Sequence, residues 1–229
     1  MEQGTSKDRF IEEEKFHDVW AAGEDFQKID VIKMNEAVTA PEMRCITKFL
    51  GNICNKNLLD LGCGLGEASV YFAIHGAKVT GTDISGKMLE HTYLLGRHYN
   101  VEILTHKSSA EDLMLGDNNF FDIVYAGNLL HHVDIESTLR KIIRILKHDG
   151  VFVSWDPIAY NPVINIYRAL AMQVRTKDEH PLRIKDIKMF NKFFEKVELR
   201  YFWFSTLFIF IIMALFQFRN PNKIRYWKK

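Results

Sequence analysis

Three glycines stand at alternate positions directly after an apolar run, and this arrangement restricts the folds open to the chain. The stretch reads NLLDLGCGLGEASVYF over residues 57–72. Residues 57–61 are typical of a buried strand, and residues 67–76 of a helix that ends at Gly76. Glycine is costly in conformational entropy unless a turn requires its freedom. The stretch therefore predicts a strand, a turn whose main chain can touch a ligand, and a helix.

The same alternation of strand and helix continues along the chain and indicates an α/β fold. Further strands are predicted at 77–83, 101–106, 120–127, 151–155 and 196–204. Further helices are predicted at 87–99, 135–150 and 188–194. Because the crossovers are short, we expect a doubly wound, mostly parallel sheet of the Rossmann-like type.

Composition limits the partners. The 229 residues, 47% apolar, suit a single core, and 30 basic side chains against 29 acidic ones leave no general positive field for nucleic acid. Cys45, Cys54 and Cys63 form no CxxC pair or zinc spacing, so no metal site is predicted. An odd cysteine number and a charged N-terminus without a signal peptide favour the cytoplasm.

Three regions are expected along the chain. Residues 1–50 are interpreted as an N-terminal helical lid, residues 51–200 as the ligand-binding domain, and residues 201–229 as an apolar and basic C-terminal segment. One interpretation turns Phe16, His17 and Trp20 of this region inward over the ligand, and the alternative is a surface helix.

The C-terminal segment admits two interpretations. Residues 201–218 are nearly long enough to span a bilayer and are flanked by basic side chains, which an anionic membrane surface attracts. The alternative is a buried helix or strand at the edge of the domain, where it would supply a seventh strand. The first interpretation predicts peripheral membrane contact, and the second predicts core.

The spacing of the glycines decides against a dinucleotide. The dinucleotide fingerprint is G-x-G-x-x-G, but here the third glycine comes one residue early and Glu67 occupies its place. A glutamate in the first helical turn repels a pyrophosphate and tolerates a cation, and Asp60 adds a second carboxylate. Asp83, at the end of the second predicted strand, is placed to hold a ribose. The pattern favours a cationic nucleoside.

At this point the chain resembles the class I S-adenosylmethionine-dependent methyltransferases. LLDLGCGLGEASVYFA is similar to their first motif, VTGTDIS to the second, SSAEDL to the third and FFDIVYAGNLLHHV to the fourth. TLRKIIRILKHDGVFVSWDP is similar to the segment that follows. The motifs cover about residues 55–157 in the family's order.

The resemblance implies S-adenosylmethionine as the cofactor and a role for each matching residue. Gly62 and Gly64 would pass under its methionine part, Asp60 would contact its amino end, and Asp83 would bind the ribose hydroxyls while Ile84 packs on the adenine. Cys63 and Gly66 would complete the cofactor-binding turn.

On the adenine side, the third motif departs from the family pattern. Many relatives carry an aspartate where this chain has Ser109, whereas Ala110 and Glu111 match. The resemblance therefore assigns adenine recognition to main chain at these positions or to the Glu111 side chain. Asn128 would contact the cofactor's carboxylate or the methyl acceptor.

Methyl transfer to oxygen or nitrogen requires a group that accepts a proton, and histidine suits this task. His131 and His132 follow the fourth predicted strand, although the pair could instead cap the helix that begins near residue 134. Because adjacent side chains point in different directions, at most one of the two is expected to face the site.

Three further candidates follow the fifth predicted strand. His180 lies in a polar turn of the insertion 156–182, where we expect acceptor choice to be made, and could reach over the cofactor. Tyr160 is another candidate, whereas Asp156, directly before Pro157, is interpreted as a turn residue.

The sequence thus predicts a methyltransferase that acts on a small, hydrophobic or lipid-like molecule, with the acceptor atom left open among oxygen, nitrogen and carbon. A sugar or protein acceptor is the alternative among enzymes. A non-catalytic S-adenosylmethionine-binding module is the alternative outside them. The expected location is the cytoplasm, with membrane association if residues 201–229 dock there.

Overall fold

The fold is a parallel sheet between two layers of helices. The computed structural model describes residues 6–115, 118–160 and 181–202. Its strands, in the spatial order β3-β2-β1-β4-β5, are β1 (Asn57–Leu61), β2 (Lys78–Asp83), β3 (Ile103–Lys107), β4 (Phe121–Gly127) and β5 (Leu146–Trp155). All four neighbouring pairs are parallel. This confirms the predicted doubly wound α/β architecture.

Helices connect the strands and precede the first one. They are α1 (Ser6–Ala22), α2 (Val31–Glu36), α3 (Pro41–Leu50), α4 (Glu67–Ile74), α5 (Gly86–His98), α6 (Ile135–Ile145) and α7 (Ile184–Phe190). Single 3-10 turns occur at Phe26–Lys28 and Leu130–His132. No helix in the described ranges is both long enough and apolar enough to cross a membrane.

Alternating side chains of β1 divide the core into two parts. Leu58 belongs to a cluster with Phe72 of α4, and Leu59 belongs to a second cluster with Leu139 and Ile142 of α6. Both leucines are fully buried. A strand that is apolar on both faces needs helices on both sides, and this requirement places β1 at the centre of the sheet.

The order of the strands also fixes where a ligand can bind. β1 pairs with β2 on one side and with β4 on the other. The chain thus adds β2 and β3 on one side of β1 and then returns to add β4 and β5 on the other side. In open parallel sheets the crevice at such a switch point, at the carboxyl ends of the strands, is the ligand site. Here that crevice is formed by the segments after β1, β2 and β4.

Two predicted helix boundaries are wrong. The helix predicted over 135–150 ends at Ile145, because Leu146 is extended and pairs with Phe121 at the start of β5. The helix predicted over 188–194 begins instead at Ile184, where the side chain of Asp186 accepts a hydrogen bond from the main chain of Arg183.

The sixth strand predicted over 196–204 does not form within the described part, which ends at residue 202. Leu199 and Tyr201 are 50% and 65% exposed. Within the described residues, these two side chains therefore do not pack into the core. The remaining interpretations of residues 201–229 concern positions outside the described residues, apart from residues 201 and 202.

Candidate active site

The glycine turn after β1 is fastened to the end of β2 by main-chain hydrogen bonds. The amides of Gly62 and Cys63 both donate to the carbonyl of Thr82 at 2.8 Å, and the amide of Gly66 closes the turn on the carbonyl of Cys63. All three glycines have positive φ angles, +72°, +54° and +90° for Gly62, Gly64 and Gly66. Other residues rarely adopt this conformation, which explains the glycine spacing.

The three glycines face different surroundings. A Cβ atom at Gly62 would lie 2.8 Å from the side chain of Leu129, and one at Gly66 would lie 2.8 Å from the main chain of Thr92 in α5. A Cβ at Gly64 would meet nothing within 4 Å. Gly62 and Gly66 thus permit close internal packing, whereas Gly64 exposes main chain to open space where a ligand can lie.

Two adjacent side chains of α5 hold the carbonyl groups of the turn. The Thr92 hydroxyl donates to the carbonyl of Gly64 at 3.0 Å, and Nδ1 of His91 lies 3.0 Å from the carbonyl oxygen of Leu65. Both side chains are buried. Sequence reasoning missed them, because nothing in the helical pattern distinguishes an anchoring residue from core.

Asp83 lies beside this turn, as the sequence predicted for the end of the second strand. Its Oδ2 accepts from the amide of Gly64 at 3.0 Å and its Oδ1 from the amide of Ser85 at 2.9 Å. Burial raises the pKa of the carboxyl group, and these two hydrogen bonds partly offset the shift. Since a carboxylate has about four acceptor positions, the group can still accept hydrogen bonds from a diol.

Two more acidic groups flank the turn. Asp60 is 1% exposed, and its Oδ2 accepts a 2.6 Å hydrogen bond from the hydroxyl of Ser69. Burial raises the pKa of Asp60 to about 7, with the charges of Glu67 and Asp83 adding to the shift. Burial also raises the pKa of Glu67. A cation at this turn would offset the cost of ionising these carboxyl groups, as the sequence argument expected.

The thiol of Cys63 faces the interior. The sulfur atom lies 3.5 Å from the hydroxyl oxygen of Thr92, and it would lie 3.1 Å from a Cβ atom placed at Gly81. Burial raises the pKa of the thiol well above its usual range. The Cys63 amide and carbonyl are both used within the turn. The thiol of Cys63 therefore packs inside the turn, and the contact of this residue with a cofactor stays a prediction.

On the adenine side, the predicted side chains are occupied by internal contacts. Glu111 Oε1 accepts from the amide of Asp134 at 2.9 Å and forms an ion pair with Arg9 of α1. The Ser109 hydroxyl accepts from the amide of Asp112, and Ala110 is buried in the core. Of the two options for adenine recognition, main chain is thus favoured over the Glu111 carboxylate.

Two further predicted contacts lie at the same edge of the sheet. Ile84 is half-buried directly after β2. Asn128, directly after β4, is exposed, adopts a φ of +57° and donates its amide to the carbonyl of Trp155 at 2.7 Å. The exposed side chain of Asn128 is free of the core and can reach a ligand. Its predicted contact with the cofactor's carboxylate or the methyl acceptor stays a prediction.

Helix α1 crosses this edge of the sheet and presents polar groups to it. Ser85 donates its hydroxyl to Asp18 Oδ1 at 2.5 Å, and Lys107 pairs with Glu14. Glu13 and Ala21 are buried, with His17 half-buried on the same face.

Trp20 is 48% exposed, so its side chain turns only partly inward. Phe16 is half-buried. The inward face of α1 combines acidic and imidazole groups at helical spacing, so hydrophobic periodicity does not reveal it.

Both candidate histidines after β4 are engaged with acidic side chains. Nδ1 of His131 lies 2.9 Å from Oδ1 of Asp156, and Nδ1 of His132 lies 3.5 Å from Oε1 of Glu13. The two rings are 4.1 Å apart between centroids. The interpretation of Asp156 as a turn residue is wrong, since its side chain is fully buried. Sequence reasoning also missed Glu13.

His17 interacts with both His132 and Asp83. Its ring centroid lies 6.4 Å from that of His132, and its Nε2 is 3.4 Å from Oε2 of Glu13. Burial lowers the pKa of His17, but the hydrogen bond with Glu13 and the charges of Asp83 and Asp18 outweigh burial, so the net pKa is raised. Imidazole and carboxylate groups thus extend from β2 to the residues after β4.

The other candidate bases are placed differently. Tyr160 is 58% exposed, and its hydroxyl accepts from the amide of Ile184 at 3.4 Å. His180 lies outside the described residues, as does the rest of the predicted insertion between residues 161 and 180. In the part that the structure does describe, no group of three or more His, Cys, Asp or Glu side chains is arranged to hold a metal ion.

A cavity of about 420 Å³ adjoins the glycine turn where α1 ends. Its walls combine apolar and charged side chains: Trp20, Ile29, Met34, Leu65, Glu24, Asp25, Lys28 and Glu67. This volume is within the usual range for a small-molecule pocket.

Comparisons with known proteins agree with this geometry. Residues 59–154 match the family of methyltransferase domains. Over 168 residues, 71% of this chain and 68% of the relative, the chain is 26% identical to the ubiquinone biosynthesis O-methyltransferase of Nitrosomonas europaea. An uncharacterized methyltransferase of Synechocystis is 36% identical over 44% of this chain and 47% of its own length.

Solved structures share the fold. The YcgJ protein of Bacillus subtilis superposes with a TM-score of 0.56 at 23% identity, covering 64% of both chains. The phosphoethanolamine N-methyltransferase 1 of Haemonchus contortus superposes with a TM-score of 0.53 at 19% identity, covering 92% of this chain and 41% of that one. The chain spans about half the length of several curated relatives that it matches.

The parallel sheet, the glycine turn and the acidic end of β2 define a Rossmann-like nucleoside-binding protein. The matched domain and its relatives specify the class further, and residues 59–154 form a domain of the class I S-adenosylmethionine-dependent methyltransferases. The residues present fit this cofactor, because Gly64 offers open main chain, Asp83 retains acceptor capacity and Asp60 favours a cation.

Proposed function

We propose that this protein transfers a methyl group from S-adenosylmethionine to a hydroxyl group of a small apolar molecule. One observation carries the proposal: imidazole groups lie at the same edge of the sheet as the ribose carboxylate. The charge of Asp83 raises the pKa of His17, whose ring centroid lies 6.4 Å from that of His132. The rings of His131 and His132 are 4.1 Å apart between centroids and tilted by 43°. Methyl transfer to a hydroxyl oxygen requires the loss of its proton, and an imidazole group is suited to accept that proton.

When bound, S-adenosylmethionine supplies a methyl group on a positively charged sulfur, which leaves as a neutral thioether. The chain's own residues must therefore orient the acceptor and take its proton. His131 and His132 are proposed as the groups that receive the proton, and the carboxylates of Asp156 and Glu13 lie beside them. A neighbouring carboxylate stabilises an imidazole that becomes charged.

Two further observations support the acceptor class. The cavity beside the glycine turn is of small-molecule size, and Trp20, Ile29 and Met34 form the apolar part of a wall that also contains charged side chains. Relatives at 26% and 28% identity are named ubiquinone biosynthesis O-methyltransferases, which points to oxygen as the acceptor atom. A small apolar alcohol or phenol combines both features.

A matched set of acceptors tests this proposal. The protein is incubated with methyl-labelled S-adenosylmethionine and with a phenol carrying a nonyl chain, unsubstituted phenol, or nonylamine. We expect label in the nonylphenol ether and much less in the other two products. Transfer to the amine alone would contradict the oxygen assignment. Tight cofactor binding without transfer to any acceptor would favour the non-catalytic module.

We also propose that residues 201–229 bring the domain to anionic membranes, where apolar acceptors accumulate. The support comes from the apolar run 201–218 and its basic flanks, which follow the last described residues. Deleting residues 203–229 is expected to abolish sedimentation with phosphatidylserine-containing liposomes, with neutral liposomes as the control. Insolubility of the shortened protein, with no liposome binding by the full chain, would indicate that the segment is core.

A further inference from the structure

Thr92 of α5 packs directly against the glycine turn after β1. Its side chain is fully buried, and a Cβ atom placed at Gly66 would lie 2.8 Å from both the Cα and the Oγ1 of Thr92. The helix and the turn therefore touch without an intervening side chain. This close approach brings the Thr92 hydroxyl to the main chain of the turn, where it donates to the carbonyl of Gly64 at 3.0 Å.

Gly64 is thereby held at both of its polar main-chain groups. Its amide donates to Oδ2 of Asp83 at 3.0 Å, and its carbonyl accepts from Thr92. The two partners belong to different elements, the end of β2 and the middle of α5. Because each group is bonded within the protein, the orientation of the peptide groups on both sides of Gly64 is set before a ligand binds.

These contacts close a ring that runs through the start of α5. Oδ1 of Asp83 accepts from the amide of Ser85 at 2.9 Å, and the hydroxyl of Ser85 caps α5 by accepting from the amide of Met88. Thr92, further along the same helix, returns to Gly64. The helix therefore acts as a spacer that sets the distance between the Asp83 carboxylate and the exposed main chain at Gly64.

The thiol of Cys63 complements the bond from Thr92. Its sulfur lies 3.5 Å from Oγ1 of Thr92, and burial raises the pKa of the thiol well above its usual range, so the sulfur keeps its proton and can donate it. A hydroxyl group donates one proton and accepts at two positions. The Thr92 hydroxyl can thus accept from the thiol while its own proton is directed to the carbonyl of Gly64.

We propose that Thr92 is a positioning residue for cofactor binding, whose hydroxyl holds Gly64 at a fixed distance from Asp83 and so preorganises the crevice for S-adenosylmethionine. The side chain acts through the turn and needs no contact with the cofactor. A turn that already has its binding conformation loses less conformational freedom when the ligand binds, and this raises affinity. The inference goes beyond the proposed function, because it concerns the cofactor and not the methyl acceptor.

The alternative role of a buried threonine is packing alone. In that role the hydroxyl of Thr92 would contribute nothing to cofactor affinity. Thr138 of α6 represents this case, since it is also fully buried and its hydroxyl has no hydrogen-bond partner within the described ranges. The two threonines therefore allow the same substitution with and without a hydrogen bond to lose.

Exchanging the hydroxyl for a methyl group tests the bond at nearly constant side-chain size. Titration calorimetry measures the binding of S-adenosylmethionine and of its demethylated product, with no methyl acceptor present. We expect the Kd to rise about three- to tenfold in Thr92→Val, the usual effect of losing one hydrogen bond, and to change less than about twofold in Thr138→Val. Thr92→Ser keeps the hydroxyl and should recover most of the affinity. Unchanged affinity in Thr92→Val, or an equal loss in Thr138→Val, would overturn the proposal.

A double-mutant cycle tests whether the effect passes through Asp83. In the Asp83→Ala background, Thr92→Val should raise the Kd by less than about twofold, because the carboxylate whose distance Thr92 sets is absent. The same factor in both backgrounds would contradict the proposal. If the valine variant does not fold, Thr92→Ala compared with Thr92→Ser gives the same information.

Hydrogen exchange of the unliganded protein separates local from global effects. Main-chain amides of residues 62–66 should exchange faster in Thr92→Val than in the unaltered protein, while those of residues 121–127 in β4 keep their rates. Faster exchange to the same extent in both segments would show that Thr92 acts through overall stability. All of these measurements use the cofactor or the free protein, so their outcome is separate from whether nonylphenol is methylated.

Discussion

The main-chain amide of Gly64 donates a 3.0 Å hydrogen bond to Oδ2 of Asp83, which lies 19 residues further along the chain. The contact joins the turn after β1 to the end of β2, the two segments that bound the ligand crevice. Asp83 therefore has a structural role before any ligand binds. Its remaining acceptor positions are oriented by a bond that also fixes the exposed main chain at Gly64.

Replacing Asp83 with alanine should weaken the binding of S-adenosylmethionine by about 1–3 kcal/mol, since charge-assisted hydrogen bonds to the ribose are lost. Titration calorimetry measures the change. Asp122→Asn is a suitable control, because Asp122 also accepts a main-chain hydrogen bond but lies at the start of β4, at the opposite edge of the sheet. Unchanged affinity in Asp83→Ala would remove this residue from the cofactor site.

Replacing Gly66 with alanine should mainly lower stability, whereas replacing Gly64 with alanine should mainly weaken cofactor binding. Gly66→Ala places a Cβ 2.8 Å from the main chain of Thr92 and should lower the free energy of unfolding by about 2–5 kcal/mol. Gly64→Ala meets open space and should cost only about 1–2 kcal/mol of backbone strain, while cofactor affinity is largely lost. Urea unfolding and calorimetry separate the two effects. A cofactor affinity retained in Gly64→Ala would mean that the ligand does not contact this main chain.

Cofactor affinity should depend on pH through Asp60. Because burial raises the pKa of this carboxyl group to about 7, it is mostly neutral in mildly acidic solution and gains its charge near neutrality. A cationic ligand favours the ionised form, so affinity should rise about tenfold between about pH 5.5 and pH 7. The Asp60→Asn variant should bind more weakly at pH 7 and lose most of this dependence. The same pH dependence in both proteins would assign it to another group.

The attachment of α1 should also depend on pH, through His17. The net pKa of this residue is raised, so the stabilisation that its charged form provides is fully present below about pH 6.5 and is lost as the pH rises through the raised value. His17→Gln should therefore cost about 1 kcal/mol of unfolding free energy at pH 6 and much less at pH 8.5.

Urea unfolding of both proteins at the two pH values measures this difference. The groups that favour the charged ring are Glu13 and Asp18 of α1 together with Asp83 of β2. Glu13→Gln should abolish most of the pH dependence. An equal cost of His17→Gln at both pH values would show that the ring contributes by packing alone.

The resemblance of the motifs to a known family indicated the cofactor, and the sequence by itself determined the order of the strands along the chain, the parallel sheet and the glycine turn. These features follow from local chemistry: β1 is apolar on both faces and must be central, and a turn with three positive φ angles requires the glycines that the chain carries. The position of Asp83 followed from the same argument, because parallel strands end at one edge of the sheet.

Tertiary structure alone decided which side chains share that edge. The pairing of Asp156 with His131 joins residues 25 apart, and the pairing of Glu13 with His132 joins α1 to the turn after β4. Neither follows from periodicity, since a buried carboxylate beside a proline resembles an ordinary turn and polar residues on the inner face of a helix resemble a solvated one. Only the packing of α1 and β5 against β4 brings charges together that are costly to bury unless they are paired.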